Sequence, residues 1–441
     1  MSYRLKYSIA FLSSVIALYS IANIIYYVST PVYNLFTANA QQPINDAGAQ
    51  MRIFDSVLQH IQNDYVDEPN LEKVRAGALR GLAGGLDPYS SYLTADQVKA
   101  FQANKTNVQV GIGAEFSQVS SYLYIISVIK NSPADKAGLK AGDVIEYIEN
   151  KATRDISLYD AKQLMLGAAD SKVNLRVLRT GEKPQTITVT RGTYKVPESE
   201  ARVETGKIGV VKVFSLETGE AKDIRARVED LKKQGVGKII LDLRGVATGE
   251  LTEAVDVANL FIKDGTLAQV IGRDNKAAQT FTANASKFAF DGKVVAIIDL
   301  GTSGAAEVVA GAILDRQRGD VVGERSFGAG AKQELFPLRS GDGLLLTTAK
   351  WASPSGKTFL ASERADSGVK PSIEVKRPDT PEPLEVEDLI DQQEQEKQQP
   401  NPSASPTPQP SPTPKASSED IQLKKALELL QDKANAAKAG E

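Results

Sequence analysis

The chain has no cysteine and a single histidine, His60. The first absence excludes disulfides, thiolate nucleophiles and cysteine-zinc sites. The second excludes His-rich metal centres and argues against a Ser-His-Asp triad, so neither a metal nor another cofactor is expected. His60 itself falls in a helical pattern with Ile53, Phe54, Val57, Leu58 and Ile61, the setting of a surface or interface histidine. Lack of cysteine also fits an exported protein, though it does not prove export. Neither sign of charge dominates: 52 Lys and Arg against 55 Asp and Glu leave a formal charge of −3, no reason to expect nucleic acid as a partner.

Charge is missing altogether between Tyr7 and Asn45, and the apolar part of that stretch, Tyr7 to Val28, is long enough to span a bilayer as a helix. Arg4 and Lys6 precede it, which places the body outside the cytoplasm, periplasmic or extracytoplasmic, on a single-pass inner or plasma membrane segment. Ala38-Asn39-Ala40 resembles a signal-peptidase site, but the apolar run exceeds a signal core of about 7–15 residues, so length favours an uncleaved anchor over a removed signal.

A chain of 441 residues with 41% hydrophobic and 24% charged residues suggests two to three globular domains between atypical ends. Residues 1–45 read as the anchor or signal segment and 46–104 as a small helical region, with an amphipathic run through Tyr65, a second from Leu71 to Gly81, and Thr94 as an N-cap. From 196 to 377 the pattern alternates strands and helices, the mark of an α/β layer on a largely parallel sheet. Residues 378–417 are acidic, then proline-rich, and read as a disordered linker. In 418–441, Leu423, Ala426, Leu427 and Leu430 sit at helical spacing, with Ser417 or Ser418 as the expected cap. A short amphipathic helix of mixed charge on a tether is a docking element for the same or another chain rather than a membrane helix.

The centre of the pattern is Val294 to Leu314: a β-branched run, a small-residue turn from Gly301 to Ala306, and a helix. Such a turn lets something approach the backbone at the carboxyl end of a strand, where α/β folds build sites.

This segment resembles the nucleophile motif of the C-terminal processing (tail-specific) serine peptidases, Gly-Ser-Ala-Ser-Ala-Ser-Glu. Anchored on Gly301 and Glu307, the resemblance puts the catalytic serine at Gly304. The family's Phe-Gly-Lys-Gly followed by Gln resembles Phe327 to Gln333, with the general-base lysine at Ala329 and the helper glutamine kept as Gln333. Asp242 to Leu251 resembles the family's Asp-Leu-Arg-x-Asn-Pro-Gly-Gly-x-Leu, but Val246-Ala-Thr248 replaces Asn-Pro-Gly and only Gly249 remains. Gly249 and Ala305 are the implied backbone donors to an oxyanion. A Ser-Lys peptidase needs a hydroxyl to attack and a neutral amine to take its proton. Gly304 and Ala329 supply neither, and losing one member of such a unit costs about four to six orders of magnitude in turnover.

Within 105–195 the run Ser132 to Ile145 and the loop Gly111-Ile112-Gly113 to Phe116 resemble a PDZ domain, and Asp87 to Leu93 resembles the element before it in the family. The resemblance implies binding of protein or peptide C-termini, the loop N–H groups cradling the carboxylate and the helix from Leu158 past Leu164 forming the other wall. Leu166 stands where the family usually carries an arginine. The expectation is a membrane-anchored pseudoprotease acting as a scaffold or as the inactive partner of an active relative, in a homo- or hetero-oligomer. The rival is an active serine-type endopeptidase with displaced groups, Ser303 and Lys332. A one-residue shift at a helix start turns a side chain by about 100°, which argues against it.

Overall fold

The computed structural model describes residues 47–103, 110–180, 182–377 and 419–431. The expected membrane segment and linker, 1–45 and 378–417, lie outside these residues, and among the described ones no helix is long and apolar enough to cross a membrane. The chain divides into two units, 1–75 and 76–441. In the first, the amphipathic run forms the helix Ala47–Asp64.

In the second unit the β-branched run becomes the strand Lys293–Ile298, third of four parallel strands running Ile208–Lys212, Lys238–Asp242, Lys293–Ile298 and Gly319–Gly323. Ile373–Glu374 extends the parallel edge and Glu200–Glu204 closes the other edge antiparallel, giving six strands. Side chains alternate between the two faces with the period of a strand. Val211, Ile239, Leu241, Val294, Ala296 and Ile298 point into a buried core shared with the helices Glu220–Lys233, Leu251–Phe261 and Ala305–Asp315. Their neighbours Val210, Ile240, Val295 and Ile297 face the opposite way, against the helix Ile421–Leu430. The expected docking element therefore lies on its own chain. Its cap is Asp420, whose carboxylate accepts from the Leu423 N–H at 3.0 Å, and not Ser417 or Ser418.

A second, antiparallel sheet of five strands has no counterpart in the local pattern. Gly343–Ala352 is its centre, pairing with Ser91–Leu93, Ala331–Pro337 and Thr266–Ile271. The Asp87 to Leu93 segment thus contributes a strand to the α/β body. Thr94 does cap Ala95–Ala103: its hydroxyl accepts from the Gln97 N–H and the Gln97 carboxamide accepts from the Thr94 N–H at 2.9 Å.

Residues 110–193 carry a further sheet, ordered from Ala114–Val119 at its edge through Tyr122–Val128, Val144–Ile148 and Lys172–Leu178 to Gln185–Thr190, a small β module. The helix Leu158–Met165, capped by the Ser157 hydroxyl, packs Leu158, Ala161 and Met165 into its core. Within that core region Asp143, fully buried, receives two hydrogen bonds from Arg179 at 2.6 and 2.8 Å.

Candidate active site and peptide groove

Gly304 is the N-cap of the helix Ala305–Asp315, with φ 55° and ψ −109°. An L side chain rarely adopts that backbone, so a glycine holds it without strain. Space is not the obstacle: a Cβ added there would have Trp351 Cζ3 as nearest neighbour, at 3.8 Å. The first N–H of the helix, on Ala305, is left for whatever lies in front of it, as helix geometry requires.

Glu307, one turn into the same helix, is fully buried and organises the site. One carboxylate oxygen accepts from the Gly304 N–H at 2.8 Å and the Ala329 N–H at 2.9 Å. The other accepts from the Gly328 N–H at 2.6 Å and the Ser326 hydroxyl at 2.5 Å. A single side chain thus binds the turn carrying Gly304 to the loop carrying Ala329, and the structure brings these two positions together. Burial pushes its pKa up to about 7, against the pull of the four hydrogen bonds. In the sequence Glu307 served only to anchor a motif; an acid three residues past the helix start, before an apolar run, was the available sign of its role.

Gly249 has φ 148°, and a Cβ there would come within 2.5 Å of Leu216 Cβ, which explains why a glycine must stand at this point of the loop. Val246 accepts from the Ser303 N–H at 2.9 Å, Thr248 from the Leu216 N–H at 2.9 Å, and Gly245 donates to Asp299 at 2.9 Å. The Val246–Thr248 stretch is therefore pinned to the Gly301–Gly304 turn and to the neighbouring strand end.

Of the displaced candidates, Ser303 is 2% exposed and its N–H is held by the Val246 carbonyl. Lys332, on the strand Ala331–Pro337, has a side chain 57% exposed and pairs with Glu334 at 2.8 Å. Among the described residues no hydrogen bond joins Lys332 to Ser303. Gln333 donates to the Tyr89 carbonyl at 2.5 Å, tying its strand to the segment before the module.

The module's sheet faces this site. Tyr122, Tyr124 and Ile126, alternate residues of one strand, form a buried cluster with Phe327 and Ala329, with Leu300 and Ala247 at its rim. Tyr124 stacks on Phe327 with centroids 5.5 Å apart, and the Arg364 guanidinium lies 4.3 Å from the Phe327 centroid. Burial raises the Tyr124 pKa and lowers that of Arg364. The backbone carbonyl of Ile126 lies 3.2 Å from the point where a Cβ on Gly301 would stand.

Within the module, Ala114–Val119 pairs, among the described residues, with one strand only, leaving an edge beside the helix Leu158–Met165, and Lys162 on that helix pairs with Glu115 at 3.1 Å. Gly111, Ile112 and Gly113 precede this edge and are all buried, with Gly113 at φ 77°. The Phe116 and Leu158 side chains are 3% and 4% exposed and belong to the core, so they support the groove from behind; Leu164 is half-buried. Leu166 ends the helix, its Cδ2 3.1 Å from a Cβ placed on Gly111. Arg191 reaches the same helix end, donating to the Leu164 carbonyl at 2.8 Å and the Met165 carbonyl at 3.3 Å. Among the described residues no group of three acidic or histidine side chains is placed to hold a metal ion.

The model for peptidase family S41 matches residues 207–375 and that for a PDZ domain matches 124–179. A carboxy-terminal-processing protease of Bartonella bacilliformis is 30% identical over 334 residues, 75% of this chain and 76% of that one. The carboxy-terminal processing protease CtpA of Bacillus subtilis is 29% identical over 326 residues, 74% of this chain and 69% of that one. Among solved structures, a photosystem II D1 C-terminal processing protease superposes with a TM-score of 0.63 at 25% identity, covering 73% of this chain and 86% of that chain. The chain belongs to peptidase family S41, the C-terminal processing peptidases, and carries their PDZ domain.

Proposed function

We propose that this chain is an exported, membrane-anchored pseudoprotease that holds protein C-termini through its PDZ domain, as a scaffold or as the inactive subunit beside an active relative. The observation that carries the reading is the pair Gly304 and Ala329. Glu307 holds the two positions matched to nucleophile and base in one frame, and neither residue has a group that can attack or take a proton. The PDZ strand edge beside Leu158–Met165, with Gly111 and Gly113 at its start, supports binding of an extended peptide with a free carboxylate. The charge-free N-terminal stretch after Arg4 and Lys6 supports export and anchoring.

The full chain, purified and offered unstructured protein, is expected to give no turnover. Family membership makes an active enzyme using Ser303 and Lys332 the alternative, and Ser303→Ala and Lys332→Ala distinguish the two. Cleavage abolished by either substitution establishes a displaced dyad and ends the pseudoprotease reading; cleavage indifferent to both points to a contaminant.

A further inference from the structure

The second face of the six-stranded sheet is covered, among the described residues, by ten residues from the end of the chain, Ile421–Leu430. Ala426 and Leu430 are buried against Ile208, Val210, Ile240, Val295, Ile297 and Val322. The contact also carries a polar address. Arg244 donates to both carboxylate oxygens of Asp420, at 2.9 and 2.8 Å, while holding Asp242 at 2.7 Å. Gln422, fully buried, donates to the Val375 carbonyl at 2.8 Å. Forty-three residues, 378–420, separate this helix from Arg377.

We propose that this face is a docking site for one amphipathic helix, that the chain fills it reversibly with its own residues 419–431, and that occupancy fixes the Arg244–Gly249 loop beside the candidate active site. A ten-residue helix is marginal by itself in water, so docking and folding of the tail are one event. Arg244 is where that event is felt: its next neighbour Gly245 binds Asp299 and the following Val246 binds Ser303, both part of the turn that leads to Gly304. Being part of the same chain, the tail meets its site at an effective concentration on the order of 1 mM, so a free copy of the same segment competes poorly with the intact tail and well once that tail is disabled.

The test uses the full chain carrying Ala426→Asp and Leu430→Asp, and a labelled synthetic peptide of residues 419–431. The peptide is expected to bind this variant at least tenfold more tightly than the unaltered chain, and a peptide with Asp420→Ala at least tenfold more weakly than its parent. Amide hydrogen exchange over 244–249 is expected to speed up in the variant and to slow again when the parent peptide is added. Unchanged exchange at 244–249, or no peptide binding, overturns the proposal. A variant that fails to fold overturns it as well, because the tail is then a fixed part of the core. Asp420→Ala in the full chain keeps the apolar contacts and removes the arginine contact; it is expected to accelerate exchange at 244–249, and the absence of that effect refutes the coupling.

Discussion

Replacing Glu307 by alanine sets two effects of known sign against each other. The substitution orphans four donors, the N–H groups of Gly304, Gly328 and Ala329 and the Ser326 hydroxyl. The hydroxyl can turn elsewhere, but the three N–H groups cannot, and at about 1–1.5 kcal/mol each their loss costs roughly 3–5 kcal/mol. In the other direction, the variant no longer buries a charge. The native carboxyl has its pKa raised from 4.5 to about 7, so the folded state binds a proton more tightly than the unfolded one. Stability from this group is therefore present below about pH 4.5, falls as pH rises towards 7 and then levels, a loss of about 3 kcal/mol. The consequence is a destabilisation that depends on pH: close to the full loss of the hydrogen bonds at pH 5, and about 3 kcal/mol smaller at pH 8. Urea unfolding of both proteins at the two pH values measures the difference. An equal destabilisation at pH 5 and pH 8 refutes the reasoning and means that the four donors keep the carboxylate ionised throughout.

Peptides ending in a free apolar residue are expected to bind the full chain and to lose most of their affinity on amidation; Leu164→Glu should weaken binding, and calorimetry showing equal binding of free and amidated peptides reduces the PDZ domain to a spacer. Gly304→Ser with Ala329→Lys should restore weak activity at best. The serine must take φ 55°, at a cost of about 1–3 kcal/mol, and the lysine must displace the Tyr122 and Tyr124 face that buries Ala329. Thermal unfolding and a turnover assay on the double variant check both parts, and near-native stability with full activity contradicts them. Asp143→Ala should destabilise by at most about 3–5 kcal/mol, since it removes the buried carboxylate of Arg179 and leaves that guanidinium the Gly138 carbonyl at 3.0 Å and Glu182 at 3.4 Å, read by urea unfolding.

The parallel sheet and its helices were legible because their signals are local: four of the six residues of Lys293–Ile298 are β-branched, and the helix from Glu220 carries its apolar residues at helical spacing behind Gly219. The antiparallel sheet was not, because Ser91–Leu93 finds its partner more than 240 residues away in Gly343–Leu345, and no window of sequence contains that pairing. The site divides in the same way. Positions 304 and 329 are what the resemblance to the family's motifs implies, whereas the carboxylate that joins them, and the tyrosines of the PDZ strand that cover Ala329, depend on tertiary placement. The tail was read as a docking helix, but its receptor and its cap were not, since Asp420 gains its significance from Arg244, 176 residues earlier.

That tail also sets an order of events during synthesis. Strands from Ile208 to Glu374 can assemble as soon as they emerge, and their helices cover one side at once. The other side, lined by Ile208, Val210, Ile240, Val295, Ile297 and Val322, stays wet until the final stretch of the polypeptide has been made. A nascent or truncated chain therefore presents an apolar surface to its neighbours, and the yield of soluble protein should fall sharply for any chain that stops short of Leu430.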